Sequence, residues 1–276
     1  MNLLAILLAT FTAGVGSVWL AAALMRLGWQ DAGTGAEGRG LPEQHLLSLA
    51  AGALLSTAFM HLLPEAMESG RGVQSLFATL LVGLVFFFLL DKAELWHHGH
   101  EHHHPVEGDH RHLHGHAHVR AHAHAAPGIG GWAVLTGDSV HCFGDGVLIA
   151  SAFVAHPQLG VVAALAVLAH EVPHHIGDLA VLRQSSASRR AALIKVSLAG
   201  AVTPLGGLVG WWIVDRLADY LPYFLVVAGS SFIYVALADL IPQLQRRLGA
   251  RETFAQIAWL LLGIVLVIVT STLVHE

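Results

Sequence analysis

Charged residues and cysteines are both scarce in this sequence. Only 12% of its 276 residues are Asp, Glu, Lys or Arg, about half the share that soluble domains usually carry. The single cysteine, Cys142, excludes an intramolecular disulfide, and the net charge of −5 gives no indication of nucleic-acid binding. Hydrophobic residues make up 55% of the chain, and the mean hydropathy is +0.62. Together these features predict an integral membrane protein that lies in the lipid bilayer.

Long apolar runs recur at the length of a bilayer-spanning helix, roughly 20 residues. The first run lacks the basic start of a signal peptide and is followed by further runs, so we interpret it as a retained helix. Short turns at 69–72 and 156–158 predict helical hairpins. The predicted fold is an all-α membrane protein in which residues 1–276 form one transmembrane domain. Its eight spans lie near 2–25, 46–64, 73–91, 130–155, 159–182, 192–215, 221–241 and 254–275.

Basic residues are distributed unequally between the loops that these spans define. Twelve of the 14 Lys and Arg residues fall in the first, third, fifth and seventh loops, and only Arg71 and Arg216 fall on the other side. Basic residues near helix ends are retained in the cytoplasm. We therefore expect a plasma-membrane protein, at the inner membrane in a bacterium, with both termini on the outer side.

Two spans resemble each other in sequence. The second reads AGALLSTAFMHLLPE over 51–65, and the seventh reads AGSSFIYVALADLIPQ over 228–243. In the topology above they run in opposite directions, as inverted repeats of transporters do around a central binding site. Chance similarity between apolar helices is the alternative.

Two polar motifs interrupt the fourth and fifth spans, HCFGDG at 141–146 and HEVPHHIGD at 170–178. A four-residue spacing is about one helical turn and places side chains on one face. Ionisable groups at membrane depth cost several kcal/mol, roughly, unless they are paired, hydrated or bound to a cation. The alternative is that these polar residues serve only to hydrogen-bond one helix to another. The candidate metal ligands are His141, Cys142, Asp145, His170, Glu171 and His174.

These ligand types favour zinc and its borderline-soft neighbours, because magnesium and calcium prefer shells of oxygen alone. Gly144, Gly146 and Pro173 lie within the same spans. Gly and Pro loosen a helix and free backbone carbonyls, which is tolerated at depth beside a hydrated cavity. We therefore interpret the two spans as the lining of an ion path.

Thirteen of the 21 histidines lie in the segment 97–124, which has few apolar residues. Such a composition cannot form a packed core, and His-rich tracts commonly bind metal. We expect a disordered cytoplasmic loop with weak metal affinity. The internal position and irregular spacing argue against an added purification tag.

With these motifs the chain resembles the ZIP family, the Zrt- and Irt-like metal transporters, in the branch whose fifth helix carries HEIPHELGD. The resemblance extends over nearly the whole chain and includes the His-rich third loop, the HLLPE end of the second span and FIYVALADLIP of the seventh. It implies a three-plus-two-plus-three arrangement of helices, alternating access and zinc uptake. Cd²⁺, Fe²⁺ and Mn²⁺ are further candidate substrates. It implies no catalytic cofactor and no enzyme activity, and it is compatible with a homodimer.

The resemblance also implies a binuclear site. One metal would be bound by His141, Asp145, His170 and His174, and its neighbour by Cys142, Asp145, Glu171 and His174. The chain departs from the usual pattern at Cys142, where the family most often has Asn, and at Thr203, where some bacterial members have Glu. A thiol at position 142 would tighten zinc binding, or the residue is simply a small filler; both interpretations stay open.

Further polar residues lie on either side of this predicted site. Towards the cytoplasm, about one turn from the ligands, we expect an exit step made by Asp138, His175 and Asp178. A weaker acceptor beside a tight site helps an ion to leave. Towards the outside, the candidate entrance residues are His61, Glu65, His275 and Glu276, of which the terminal pair is equally explained as surface charge.

Two other functions share parts of these motifs. HEVPH satisfies H-E-x-x-H, the signature of zinc proteases, but Pro173 lies inside it and the acidic third ligand would have to come from upstream. A zinc exporter of the cation diffusion facilitator type also has H-x-x-x-D and His-rich loops. Those exporters usually have six spans and a soluble C-terminal domain, whereas this sequence ends directly after the eighth span.

Overall fold

The fold is taken from a computed structural model, which describes residues 3–27, 41–99, 130–185, 188–245 and 249–274. These residues form helices joined by short turns, and no strand occurs among them. Eight of the helices described there are long and apolar enough to cross a bilayer. The prediction of an all-α membrane protein with eight spans is therefore confirmed.

We number the eight helices α1 to α8 in chain order. Four of them contain a π-helical turn or a short break, so their parts are given separately. The bounds are α1, Leu3–Phe11, Thr12–Gly16 and Ser17–Arg26; α2, Leu41–Thr57, Ala58–Leu62 and Leu63–Glu68; α3, Val73–Gly99; α4, Gly130–Ala155; α5, Pro157–Ser185; α6, Arg189–Gly200 and Val202–Arg216; α7, Leu221–Tyr234, Val235–Leu240 and Ile241–Leu244; α8, Ala250–Val274.

Both predicted hairpins are present. The turn between α2 and α3 contains Gly70, whose φ of 73° lies in the left-handed region that glycine adopts without a steric cost. Only His156 separates α4 from α5, and Pro157 begins α5, where its missing N–H costs no helical hydrogen bond. The two motif-bearing helices are therefore antiparallel neighbours.

The π-helical turns of α2 and α7 lie at matching places. Ala58–Leu62 ends two residues before Pro64, and Val235–Leu240 ends two residues before Pro242. A proline cannot donate to the carbonyl four residues earlier, and an irregular turn accommodates the loss. The likeness of these two helices thus extends from sequence to backbone. The inverted three-plus-two-plus-three arrangement stays a prediction.

Glycines let α4 and α6 approach closely. A Cβ at Gly146 would lie 2.0 Å from the carbonyl oxygen of Thr203, and one at Gly206 would lie 2.1 Å from that of Phe143. Small residues at such contacts drive helix association in membranes. Gly146 therefore has a packing role, and α4 stays α-helical throughout, in contrast to our interpretation of its glycines as loosening elements. α5 is likewise continuous through Pro173.

Helices α4 and α5 lie inside the bundle, against α1, α2 and α6, whereas α3 and α8 lie at its periphery on α7 and α2. The interior position of α4 and α5 is what removes their polar side chains from lipid. The predicted His-rich loop, apart from 97–99 at the end of α3, falls outside the described residues, as do His275 and Glu276.

Candidate metal site

The α4 and α5 hairpin brings nine histidine, cysteine and carboxylate side chains together. Six are almost fully buried, among them Asp145, Glu171 and His175 at 2%, 1% and 0% exposure. Within the described part of the chain they form three overlapping groups, each with four ligand atoms no more than 4.8 Å apart. The groups follow one another along the two helices.

The first cluster consists of His141, Asp145, His170 and Glu171. The Nε2 atom of His170 lies 3.2 Å from Oδ2 of Asp145 and 3.5 Å from Oε1 of Glu171. The Nε2 atom of His141 lies 3.4 Å from the same Oε1 and 3.3 Å from Nε2 of His170. Two imidazoles and two carboxylates therefore point at one shared space.

The second cluster consists of Asp138, Cys142, Glu171 and His175. The Nε2 atom of His175 lies 3.1 Å from Oε2 of Glu171 and 3.7 Å from Oδ1 of Asp138. The Cys142 sulfur lies 3.6 Å from that Oδ1 atom. Glu171 therefore faces the first cluster with Oε1 and the second cluster with Oε2.

The third cluster consists of Asp138, His174, His175 and Asp178. The Nδ1 atom of His174 lies 3.3 Å from Oδ2 of Asp178 and 3.7 Å from Oδ1 of Asp138. This cluster is the most open one, because the side chains of His174 and Asp178 are 37% and 14% exposed. It shares Asp138 and His175 with the second cluster.

This grouping differs from the ligand sets that the resemblance implied. His174 was expected to bind both metals, but its nitrogen faces Asp178 and Asp138, while its ring stacks on that of His141 at 5.5 Å. Glu171 completes the first cluster instead. The three exit residues, Asp138, His175 and Asp178, do lie together, and His175 belongs to two of the clusters.

The polar atoms of these clusters are better placed to bind a cation than to form hydrogen bonds with one another. Asp145 Oδ2, both carboxylate oxygens of Glu171 and His175 Nε2 are buried without a hydrogen-bond partner among the described residues, although they lie near complementary atoms. A buried polar group without a partner costs roughly 1–3 kcal/mol. A divalent cation in the shared spaces would satisfy several at once, so the residues fit a metal substrate.

Three further residues that the sequence analysis named are not members of the three clusters. His61 is half-buried and Glu65 exposed on α2, and neither is part of these three clusters. Thr203 is buried on α6, where its backbone contacts α4 at Gly146 and its side chain adjoins Cys142 of the second cluster. The sequence analysis missed Ser17 of α1, whose Oγ lies 3.0 Å from Nδ1 of His175; no local pattern links residues so far apart.

The geometry does not support a zinc protease. The two histidines of H-E-x-x-H bind one metal in such enzymes, but none of the clusters formed by the described residues contains both His170 and His174.

Comparisons with known proteins identify the family of the chain. The family model described as ZIP Zinc transporter matches residues 3–271. Zinc transporter ZIP13 of Pongo abelii is 26% identical over 249 residues, which are 84% of this chain and 67% of that protein. Zinc transporter ZIP4 of Homo sapiens is 38% identical over 111 residues, 40% of this chain and 17% of that protein. For zinc transporter ZIP10 of Homo sapiens the match is 32% over 121 residues, 44% of this chain.

The chain spans only 15% of the length of that ZIP10 protein. The family match, in contrast, extends over nearly the whole chain and includes both motifs. ZIP family members are transporters and not enzymes. This chain belongs to the ZIP zinc transporter family.

Proposed function

We propose that the chain moves zinc from the outside into the cytoplasm along the three clusters between α4 and α5. The observation that carries the proposal is the sharing of ligands. The first two clusters have Glu171 in common, and the second and third have Asp138 and His175 in common. A metal ion can therefore pass to the next cluster while it keeps one or two of its ligands, without being released into an apolar interior.

The clusters follow the helix axes. From Asp145 to Asp138 there are seven residues of α4, which at the rise of an α-helix is about 10 Å. The distribution of basic residues supports an orientation in which the Asp138 end of α4 and the Asp178 end of α5 lie towards the cytoplasm. Inward transport therefore runs from the first cluster to the third, with both termini outside and His61 and Glu65 near the entrance.

Glu171 supports a binuclear arrangement. Its two oxygens face different clusters, Oε1 towards His141 and His170 and Oε2 towards His175. A carboxylate that offers one oxygen to each of two ions partly neutralises both. The first two clusters would then be occupied together, with Glu171 between them.

The ligand chemistry supports zinc as the substrate, with Cd²⁺, Fe²⁺ and Mn²⁺ as further candidates. Imidazole nitrogens and carboxylate oxygens bind zinc at four-coordinate sites, and hard ions such as Mg²⁺ prefer oxygen alone. The relatives named above are zinc transporters by their names. The His-rich loop is proposed to buffer metal on the cytoplasmic side, and a homodimer remains a proposal from the family resemblance.

The proposal is tested by metal uptake into proteoliposomes whose protein orientation is measured by protease accessibility. External Zn²⁺ should reach an indicator dye inside, whereas Mg²⁺ should not. His174→Ala should abolish uptake, because His174 contacts both the first cluster and Asp178. His156→Ala, on the exposed turn of the same hairpin, is the matched control. Normal uptake by the His174 variant, or none by the His156 variant, would contradict the assignment.

A further inference from the structure

We infer that Asp138, Cys142, Glu171 and His175 form a second metal position with a thiolate ligand, distinct in composition from the one that the family resemblance implies. This inference rests on the proposed function, since it concerns the middle step of the same path. Thiolate, imidazole and two carboxylates are ligands of tetrahedral zinc sites. All four side chains are more than nine-tenths buried.

The two least family-like ligands of the chain meet in this cluster. Position 142 carries Cys where the family most often has Asn, and position 175 carries His where the motif HEIPHELGD has Glu. They lie on different helices, yet their ligand atoms are within 4.8 Å of each other. Both replacements bring softer ligand atoms to one point. A thiol that served only as a small filler would not require a histidine opposite it.

Ser17 fixes the proton of His175 on the nitrogen that faces away from the cluster. The Ser17 hydroxyl donates its one hydrogen to the carbonyl oxygen of Gly14. It can therefore only accept a hydrogen bond from His175 Nδ1, 3.0 Å away. A neutral imidazole with its proton on Nδ1 carries its lone pair on Nε2, and Nε2 faces Glu171 and Asp138. This is how an outer hydrogen bond prepares a histidine for a metal.

The direction of that lone pair favours a cation. Although Nε2 of His175 lies 3.1 Å from Glu171 Oε2, the two atoms are not aligned as a hydrogen bond, and Asp138 Oδ2 also has no partner among the described residues. Asp145 and His174, which the resemblance would place here, face other side chains. Asp145 lies 3.2 Å from His170, and His174 lies 3.3 Å from Asp178.

The experiment is a Cd²⁺ titration of the purified protein in nanodiscs, followed by near-ultraviolet absorption. A thiolate bound to Cd²⁺ gives a charge-transfer band, and because Cys142 is the only cysteine, any such band reports this position. We expect the band in the wild-type protein and its loss in Cys142→Ser and in Cys142→Asn, which carries the usual family residue. A wild-type protein without the band would overturn the inference.

Two pairs of variants distinguish the clusters. Asp138→Asn and His175→Gln should raise the Cd²⁺ concentration at half-maximal absorbance, whereas Asp145→Asn and His174→Gln should leave it nearly unchanged. The reverse pattern would show that the thiolate belongs to the position implied by the resemblance, and would overturn ours. His141→Ala should stop transport but keep the band, so failure of the transport proposal and failure of this one are separable.

Ser17 acts as a positioning residue. Ser17→Ala should weaken Cd²⁺ binding to the thiolate position about 10-fold, the lower end of the effect of losing an outer hydrogen bond to a metal-binding histidine, while the band itself remains. Ser48→Ala is the matched control, because Ser48 is equally buried but donates only to Gln44 of its own helix. Equal affinities of the two variants would exclude the role of Ser17.

Discussion

Replacing Glu171 by Gln tests whether one side chain serves two metal positions. The amide keeps the size of the carboxylate but removes its charge and gives up one of its two metal-facing oxygens. In the structure that charge lies 3.1 to 3.5 Å from nitrogens of His141, His170 and His175. Because it faces both the first and the second cluster, a single substitution should weaken two binding events.

The magnitude follows from the burial of Glu171, which is 1% exposed. Breaking a buried ion pair by removing one partner costs about 3–5 kcal/mol. At 1.36 kcal/mol for each factor of ten, this corresponds to a loss of affinity of roughly 10²- to 10⁴-fold at each position. We expect both positions to be affected within that range, since Glu171 lies within 3.5 Å of a histidine nitrogen in each cluster.

The assay is calorimetric zinc titration of the protein in nanodiscs, with wild-type protein expected to bind two ions in the two clusters. Two matched carboxylate-to-amide variants serve as controls. Asp145→Asn should weaken only the position in the first cluster, and Asp138→Asn only the one in the second. A Glu171→Gln protein that elutes as wild type and keeps one position at full affinity would refute the shared role of Glu171.

Three further outcomes are expected. Deletion of 97–124 should leave zinc uptake measurable and alter its regulation, because a segment with so few apolar residues is predicted to add little packing against the helices; complete loss in a well-expressed deletion would place it in the permeation path. Gly146→Ala should destabilise the protein by about 1–3 kcal/mol through overpacking, because its Cβ would lie 2.0 Å from a backbone oxygen, whereas Gly144→Ala, with nothing within 4 Å, should not lower the thermal midpoint. Uptake should rank Zn²⁺ and Cd²⁺ above Mg²⁺ and Ca²⁺ in competition assays, and equal competition by Mg²⁺ would contradict the ligand chemistry.

The spans and hairpins of the fold could be predicted because membrane helices have a simple signature. Twenty apolar residues and a short turn leave few alternatives, and helix ends such as Gly130 and Ala155 agree with the sequence. The π-helical turns could not be placed in advance. They depend on how α2 and α7 compensate for Pro64 and Pro242 within the packed bundle.

The ligands could be identified from the sequence, but not their grouping. Residues four apart on an α-helix differ by about 40° around the axis. This spacing is compatible with His174 facing the same metal as His170, and equally with His174 facing Asp178 instead. The crossing angle of α4 and α5 decides between these two arrangements, and a local sequence pattern does not specify that angle. The contact of Ser17 with His175 could not be predicted for the same reason, because it forms only when α1 packs against α5.

The central claim, that zinc passes through successive clusters towards the cytoplasm, is tested most directly by the double variant Asp138→Ala with Asp178→Ala. Both carboxylates belong to the third cluster, and Asp145, His170 and His141 of the first cluster are untouched. Stopped-flow measurement should show slow zinc release into proteoliposomes while equilibrium zinc binding to the first cluster stays near the wild-type value. Loss of binding to the first cluster, or release at the wild-type rate, would contradict the account.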